Sequence, residues 1–146
     1  MTALSLAMQD AGWSVSGSDT DESFITDDIL AKRNIKIQSF SEPIPDVDKI
    51  IYSAAYPVPV GADPRVRPLA QALSEFVTDK KVIAVAGVGG KTTTTAMLAT
   101  MFHDSSRDVG YYVGTGSIAG LTAPGHAGSD PYFVVEADEY AISKLD

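Results

Sequence analysis

Residues 82–95 read VIAVAGVGGKTTTT, which joins an apolar strand to a glycine-rich turn, a lysine and four threonines. The apolar residues 96–102 predict that a helix continues from the threonines. Glycines in such a turn let backbone N–H groups approach phosphate oxygens, and the start of a helix favours negative charge. The stretch therefore predicts a phosphate-binding loop, in which Lys91 reaches the terminal phosphates and the hydroxyl of Thr92 binds Mg²⁺.

The spacing of this loop departs from the common pattern, which has a glycine five residues before the Gly-Lys pair. Val85 occupies that position, so only the shorter form Gly87-x-x-Gly90-Lys91-Thr92 remains. A glycine-rich turn that binds no nucleotide is the alternative interpretation. Four consecutive threonines are poor helix formers, and a chemical role for one or two hydroxyls explains them better. The candidate phosphate-binding residues are Gly87, Val88, Gly89, Gly90, Lys91, Thr92 and Thr93.

A second candidate group follows the apolar residues 133–135, where Glu136 ends a predicted strand. Ligands of open α/β sheets bind beyond the carboxyl ends of the strands. Mg²⁺ prefers oxygen ligands and commonly bridges substrate phosphates. We therefore predict Thr92 and Glu136 as its protein ligands. The alternative is that Glu136, Asp138 and Glu139 form an ordinary solvated acidic turn, and for the last two residues both interpretations stay open.

The composition limits the classes of function. The chain has 146 residues, a net charge of −8 and no cysteine. Because a protein that binds the nucleic-acid backbone needs a basic face, nucleic acid is not expected as the main partner. Disulfides and thiol chemistry are excluded. No apolar run has the length of a membrane span and no signal peptide is recognised, so we expect a cytoplasmic protein without membrane contact.

Strands and helices alternate along the chain, which predicts an α/β fold with parallel sheets. We assign residues 1–79 to a truncated Rossmann-like domain and residues 80–146 to the first part of a P-loop domain. Besides the P-loop strand and helix, the predicted helices are 1–12, 22–33 and 69–78, the strands are 13–17, 35–37, 49–55, 109–113 and 132–135, and the loops are 56–68 and 114–130.

Three polar residues near strand ends are further candidates. Ser18 and Asp19 follow a glycine at the end of a strand, where an acidic residue of a dinucleotide-type fold binds ribose hydroxyls. An aspartate that caps a turn or helix explains Asp19 equally well. Ser53 also ends a strand, with a small residue closing the strand as its alternative. The two histidines, His103 and His126, have no ligand-type neighbours in the sequence and are expected in surface or loop positions.

Four motifs together resemble the Mur ligases, which build the peptide stem of bacterial peptidoglycan. Residues 86–97 resemble the family's ATP-binding motif. Residues 135–140, VEADEY, resemble the acidic motif of the branch that attaches L-alanine to UDP-N-acetylmuramate. Residues 15–19 and 52–55 look like the nucleotide-sugar domain of that branch.

This resemblance implies a reaction in which ATP phosphorylates the carboxylate of UDP-N-acetylmuramate and the amine of L-alanine then displaces phosphate. Lys91 would stabilise charge on the transferring phosphoryl group, as the catalytic residue. Thr92 and Glu136 would hold Mg²⁺, and Ser18, Asp19 and Ser53 would lie near the UDP group.

The chain also departs from the family. Gly89 stands where the family usually has His or Asn, which removes a side chain near the nucleotide. The stretch 63–68 looks shortened, and the UDP-binding glycine turn and the amine-binding domain are absent, so we expect an internal fragment that is inactive alone. The alternatives are a ligase that recycles murein tripeptide, a non-catalytic module that binds nucleotide or UDP-sugar, and an unrelated P-loop kinase or GTPase.

Overall fold

The computed structural model describes residues 1–55 and 63–137 as a mixed α/β fold. The prediction of an α/β fold with parallel sheets is confirmed. In chain order the elements are α1 (Thr2–Asp10), β1 (Ser16–Asp19), α2 (Asp27–Lys32), β2 (Lys36–Ser39), β3 (Ile50–Tyr52), β4 (Val66–Pro68), α3 (Leu69–Phe76), β5 (Lys81–Val85), α4 (Lys91–Asp104), β6 (Gly110–Tyr112), β7 (Gly125–His126) and β8 (Tyr132–Glu136).

Two pairs of parallel strands form the first part of the fold. Strand β1 pairs with β2, and β3 pairs with β4. The prediction of a loop over 56–68 is wrong at its end, because residues 66–68 form β4. Pro64 precedes this strand and Pro68 is its last residue, and the Ile50 N–H donates to the carbonyl oxygen of Arg65 at 3.0 Å. A proline at a strand end loses no ladder hydrogen bond.

Helix α2 is shorter than the predicted helix over 22–33. It begins at Asp27, whose carboxylate accepts a hydrogen bond from the N–H of Phe24 at 2.8 Å. This aspartate stabilises a turn ahead of the helix, as Asp side chains do when they compete with helical hydrogen bonds. Ile25, one of the apolar residues on which the prediction rested, is 82% exposed.

The second part of the fold is a four-stranded sheet in the order β5-β8-β6-β7. Strands β5, β8 and β6 are parallel, and the short β7 runs antiparallel to β6. The prediction of a flexible loop throughout 114–130 is therefore wrong at residues 125–126. Gly125 is buried against the backbone of Ala3 in α1, where any side chain would collide.

The central strand β8 decides where the candidate site lies. Phe133, Val134 and Val135 are buried because β8 is an inner strand of the sheet and helices cover both of its faces, as expected in a parallel sheet. Val134 packs with Ala99 of α4 on one face of the sheet, while Phe133 packs near α3 on the other. The carboxyl end of this buried strand fixes the position of Glu136.

Helix α1 contacts elements from both assigned segments. Leu4 and Met8 pack with Ala72 of α3 and with Tyr112 of β6. The helix also lies along β7. Its end agrees with the predicted stop, because Gly12 takes the left-handed φ of 91°. The division into domains 1–79 and 80–146 stays a prediction, and hydrophobic contacts join the two segments.

Candidate functional site

The predicted phosphate-binding loop joins the end of β5 to the start of α4. Gly90 precedes the helix with a φ of 75°, a left-handed conformation that glycine adopts without strain. Its carbonyl oxygen accepts the first helical hydrogen bond, from the N–H of Thr94 at 2.9 Å. Among the described residues, no side chain caps this end of α4. The N–H groups of the first turn are thus open to an anionic ligand.

The side chain of Lys91 folds back across the loop. Its Nζ donates a hydrogen bond to the carbonyl oxygen of Gly87 at 2.9 Å. Val88, between the two, is 99% exposed. An ammonium group held over an exposed loop by one neutral carbonyl can exchange that carbonyl for a phosphate oxygen, which offers a stronger, charge-assisted hydrogen bond.

Thr92 and Glu136 are in direct contact although 44 positions separate them in the sequence. The Thr92 hydroxyl donates to Oε1 of Glu136 at 2.6 Å. Strand pairing causes this contact, because Glu136 lies opposite Val85, the last residue of β5. Both residues are only partly exposed. The structure brings these two predicted ligands together, and their role in metal binding stays a prediction.

The backbone of Gly114 completes this arrangement and was not anticipated from the sequence. Its N–H donates to Oε2 of Glu136 at 2.7 Å, so each carboxylate oxygen has its own partner. Gly114 lies just beyond β6, which neighbours β8 in the sheet. A backbone amide has no side-chain signature, and the only sequence signal was a glycine at a predicted strand end.

The chemistry of the two predicted ligands, Thr92 and Glu136, fits Mg²⁺. A hydroxyl and a carboxylate are hard oxygen ligands of the kind that Mg²⁺ takes. Within residues 1–55 and 63–137, no three acidic or histidine side chains are grouped so as to hold a metal by themselves. Mg²⁺ is usually bound by one or two protein oxygens together with phosphates and water. Asp138 and Glu139 lie outside the described residues.

The candidate UDP-sugar residues lie in the first part of the fold. A cavity of about 310 Å³ borders β1 and α2 and includes Asp19. The Asp19 carboxylate accepts a hydrogen bond from the N–H of Thr20 at 2.8 Å. Ser53 accepts one from the N–H of Ala55 at 3.3 Å. The contact of Asp19 agrees with its interpretation as a turn residue, and Ser53 follows the end of β3 as a strand-closing residue would. The proposed role of Ser18, Asp19 and Ser53 near UDP stays a prediction.

His126 has acidic neighbours that its sequence context did not indicate. Its Nδ1 lies 2.6 Å from Oδ2 of Asp10, and its Nε2 lies 2.7 Å from Oδ1 of Asp108. Burial favours the neutral ring, but the hydrogen bonds to Asp108 and Asp10 outweigh it and raise the pKa of His126. Asp10 and His126 are 116 positions apart, so no local pattern predicts this contact. His103, by contrast, is exposed as expected.

No protein-family model matches the chain. It is 35% identical over 153 residues to the UDP-N-acetylmuramate–L-alanine ligase of Buchnera aphidicola, covering 99% of this chain and 31% of that protein. It is 33% identical to the ligase of the same name from Bordetella avium, covering 100% of this chain and 33% of that protein. The chain thus spans about a third of the length of these curated relatives.

A solved structure gives the same result for the fold. The murein peptide ligase of Psychrobacter arcticus matches 94% of this chain and 35% of its own, with a TM-score of 0.74 and 29% identity. Among the described residues, no helix is long and apolar enough to cross a membrane. By its curated relatives and by its fold, the chain belongs to the Mur ligase family.

Proposed function

We propose that this chain is part of an ATP-dependent ligase that joins L-alanine to UDP-N-acetylmuramate. Within that ligase, the chain would bind ATP and UDP-N-acetylmuramate. The contact between Thr92 at the start of α4 and Glu136 at the end of β8 supports this proposal most directly. It joins a phosphate-binding loop to a carboxylate at the sheet edge where nucleotides bind in such folds. The names of the curated relatives supply the substrates.

In this proposal the P-loop residues Gly87 to Thr93 bind the phosphates of ATP through backbone N–H groups. Lys91 leaves the carbonyl of Gly87 and pairs with the γ-phosphoryl group as it passes to the sugar carboxylate. The amine of L-alanine then attacks the acyl phosphate carbonyl, and phosphate leaves. Mg²⁺, held by Thr92 and Glu136, would supply charge neutralisation at the phosphates.

The remaining parts of the proposal concern the first segment and the location. Residues 1–79 would bind UDP-N-acetylmuramate, with Ser18, Asp19 and Ser53 near the UDP group, and residues 80–146 would bind ATP. A net charge of −8 agrees with small nucleotides rather than nucleic acid as ligands. We propose a cytoplasmic location, where ATP is available as a substrate.

A second candidate is a ligase that adds a peptide in place of L-alanine, as in murein recycling. The likeness in fold to the murein peptide ligase of Psychrobacter arcticus favours it. A third is a module that binds nucleotide without catalysis, for which Gly89 is the supporting feature. Both keep the ATP site, so the first experiment tests the function that all three share.

Titration calorimetry with MgATP tests the phosphate-binding loop. We expect weak binding by the chain and a loss of at least about tenfold in Lys91→Ala, because a charge-assisted hydrogen bond contributes about 1.5–3 kcal/mol. Lys36→Ala removes an exposed lysine of β2 and serves as the control with unchanged affinity. Equal affinities of the unaltered chain and Lys91→Ala would contradict the assignment of the loop.

A further inference from the structure

The carboxylate of Glu136 divides its two oxygens between two different kinds of partner. Oε1 accepts from the side chain of Thr92 at 2.6 Å, and Oε2 accepts from the backbone of Gly114 at 2.7 Å. A threonine hydroxyl can rotate away when a ligand arrives. A backbone N–H cannot rotate independently of the chain, so its contact is the fixed one.

The conformation of Gly114 is set by its neighbours on both sides. Val113 is fully buried, and its N–H donates to the carbonyl oxygen of Pro124 at 3.0 Å. The N–H of Thr115 donates to the carbonyl oxygen of Val113 at 2.8 Å, which closes a three-residue turn centred on Gly114. This turn aims the N–H of Gly114 at the end of β8.

A side chain at position 114 would disturb the carboxylate. A Cβ built on Gly114 falls 3.1 Å from Oε2 of Glu136 and 3.4 Å from its carboxyl carbon. Gly114 therefore has two roles, since it supplies the N–H donor and leaves room for the carboxylate oxygen that accepts from it.

We propose that Gly114 is a positioning residue for the metal site: its N–H holds Oε2 of Glu136 so that Oε1 alone faces the metal. This inference rests on the proposed ATP-binding function. Metal binding would then replace only the contact between Thr92 and Oε1, while the contact between Gly114 and Oε2 persists. Glu136 would bind through one oxygen, which suits the strict octahedral geometry of Mg²⁺.

The first test compares ATP affinity with and without metal, using Mn²⁺ as the probe for Mg²⁺. Titrations with ATP plus EDTA report the loop alone, and titrations with ATP plus Mn²⁺ add the metal. Gly114→Ala keeps the backbone N–H but places a Cβ 3.1 Å from Oε2, so the carboxylate must shift away from the amide. We expect ATP affinity in EDTA to stay within about twofold, while the gain from Mn²⁺ falls about tenfold, the usual effect of disturbing a group that orients a ligand. Ser117→Ala, an exposed change in the same segment, is the control that should keep the full gain.

The second test reads the hydrogen bond itself, and its first comparison needs no ATP. The amide proton of Gly114 should resonate downfield in the unaltered chain, because a carboxylate accepts it. In Glu136→Ala it should move upfield and exchange faster with solvent. On addition of MgATP to the unaltered chain, with no Mn²⁺ present, the Gly114 signal should stay downfield, because the contact with Oε2 persists when the metal binds.

The outcomes separate this inference from the proposed function. If Mn²⁺ fails to strengthen ATP binding by the unaltered chain, the metal site is wrong and this inference with it. If Mn²⁺ does strengthen it, an equal gain in Gly114→Ala overturns the positioning role alone. A Gly114 amide signal that is unchanged by Glu136→Ala also overturns the positioning role. This result does not depend on whether Gly114→Ala folds.

Discussion

Neighbouring glycines of the predicted phosphate-binding loop have different conformational requirements. Gly90 is left-handed, with a φ of 75°, whereas Gly89 lies outside the left-handed region. Apart from Gly89 and its two chain neighbours, none of the described residues has a heavy atom within 4 Å of a Cβ built on Gly89. The residue that departs from the family's usual His or Asn is therefore one whose backbone accepts a side chain.

This difference predicts opposite effects of one substitution at adjacent positions. Gly89→Ala should stabilise the fold by about 0.4–1 kcal/mol, because alanine lowers the conformational entropy of the unfolded chain without strain. Gly90→Ala should destabilise it by about 1–2 kcal/mol, the cost of a left-handed L-residue. Urea denaturation measures both. Destabilisation by Gly89→Ala to the same extent as Gly90→Ala would show that the loop also needs glycine at position 89.

Among the secondary-structure elements, helix α1 is tied to strand β7 through one histidine. His126 bridges Asp10 at the end of α1 and Asp108 ahead of β6. A neutral imidazole has one N–H and can donate to only one carboxylate, whereas the protonated ring donates to both. Asp10 also pairs with Arg33, next to α2. The charge on His126 therefore helps to hold β7 against the end of α1 and against the segment ahead of β6.

The sign of the resulting pH dependence follows from the shifted pKa values. The pKa of His126 is raised in the folded chain, so its contribution is complete below the ordinary value of 6.5 and is lost as the pH rises through the folded pKa. Hydrogen bonds from His126 and Ser129 lower the pKa of Asp108 to about 2. Its contribution is complete above the ordinary 3.8 and is lost as the pH falls toward 2.

We therefore expect His126→Gln to lower the free energy of unfolding by about 1 kcal/mol between pH 4.5 and 6, in the range of partly exposed charged hydrogen bonds. The difference from the unaltered chain should shrink above the raised pKa of His126. Urea denaturation between pH 4.5 and 8.5 measures this. His103→Gln removes an exposed histidine whose ion pair with Asp104 is also exposed, and should change the free energy of unfolding by no more than about 0.5 kcal/mol. If His126→Gln lowers the free energy of unfolding by the same amount at all pH values, the charged bridge is ruled out.

The sequence predicts some of the strands and contacts of this fold and misses others. Long apolar strands such as β5 and β8 were predictable, and with them the sheet edge at which Glu136 meets the P-loop. The short strands β4 and β7 were not, because prolines and glycines obscure them and their pairing depends on distant residues. The hydrogen bond from Gly114 and the bridge through His126 depend on tertiary structure, which leaves no local pattern.

In the molecule as a whole, the hydrophobic core crosses the predicted boundary at residues 79 and 80. Leu4 of α1 is 1% exposed and packs in a cluster that includes Ala72, Phe76 and Tyr112. Phe76 in turn contacts Phe133 of β8 edge to face, with ring centroids 6.1 Å apart. A sequence divided into two nucleotide-binding segments would be expected to form two cores, but contiguous contacts link these segments.

We therefore expect one cooperative unfolding transition rather than two. Trp13, the single tryptophan, reports on the first segment by its fluorescence, and hydrogen exchange of the β8 amides reports on the second. Leu4→Ala should lower the free energy of unfolding by about 2–5 kcal/mol, the cost of truncating a buried leucine, and both probes should report the same loss. Ile25→Ala, at an exposed side chain, should leave both within about 0.5 kcal/mol. If Leu4→Ala shifts the Trp13 transition but not β8 exchange, the segments unfold independently, and the boundary at residue 79 separates two folding units.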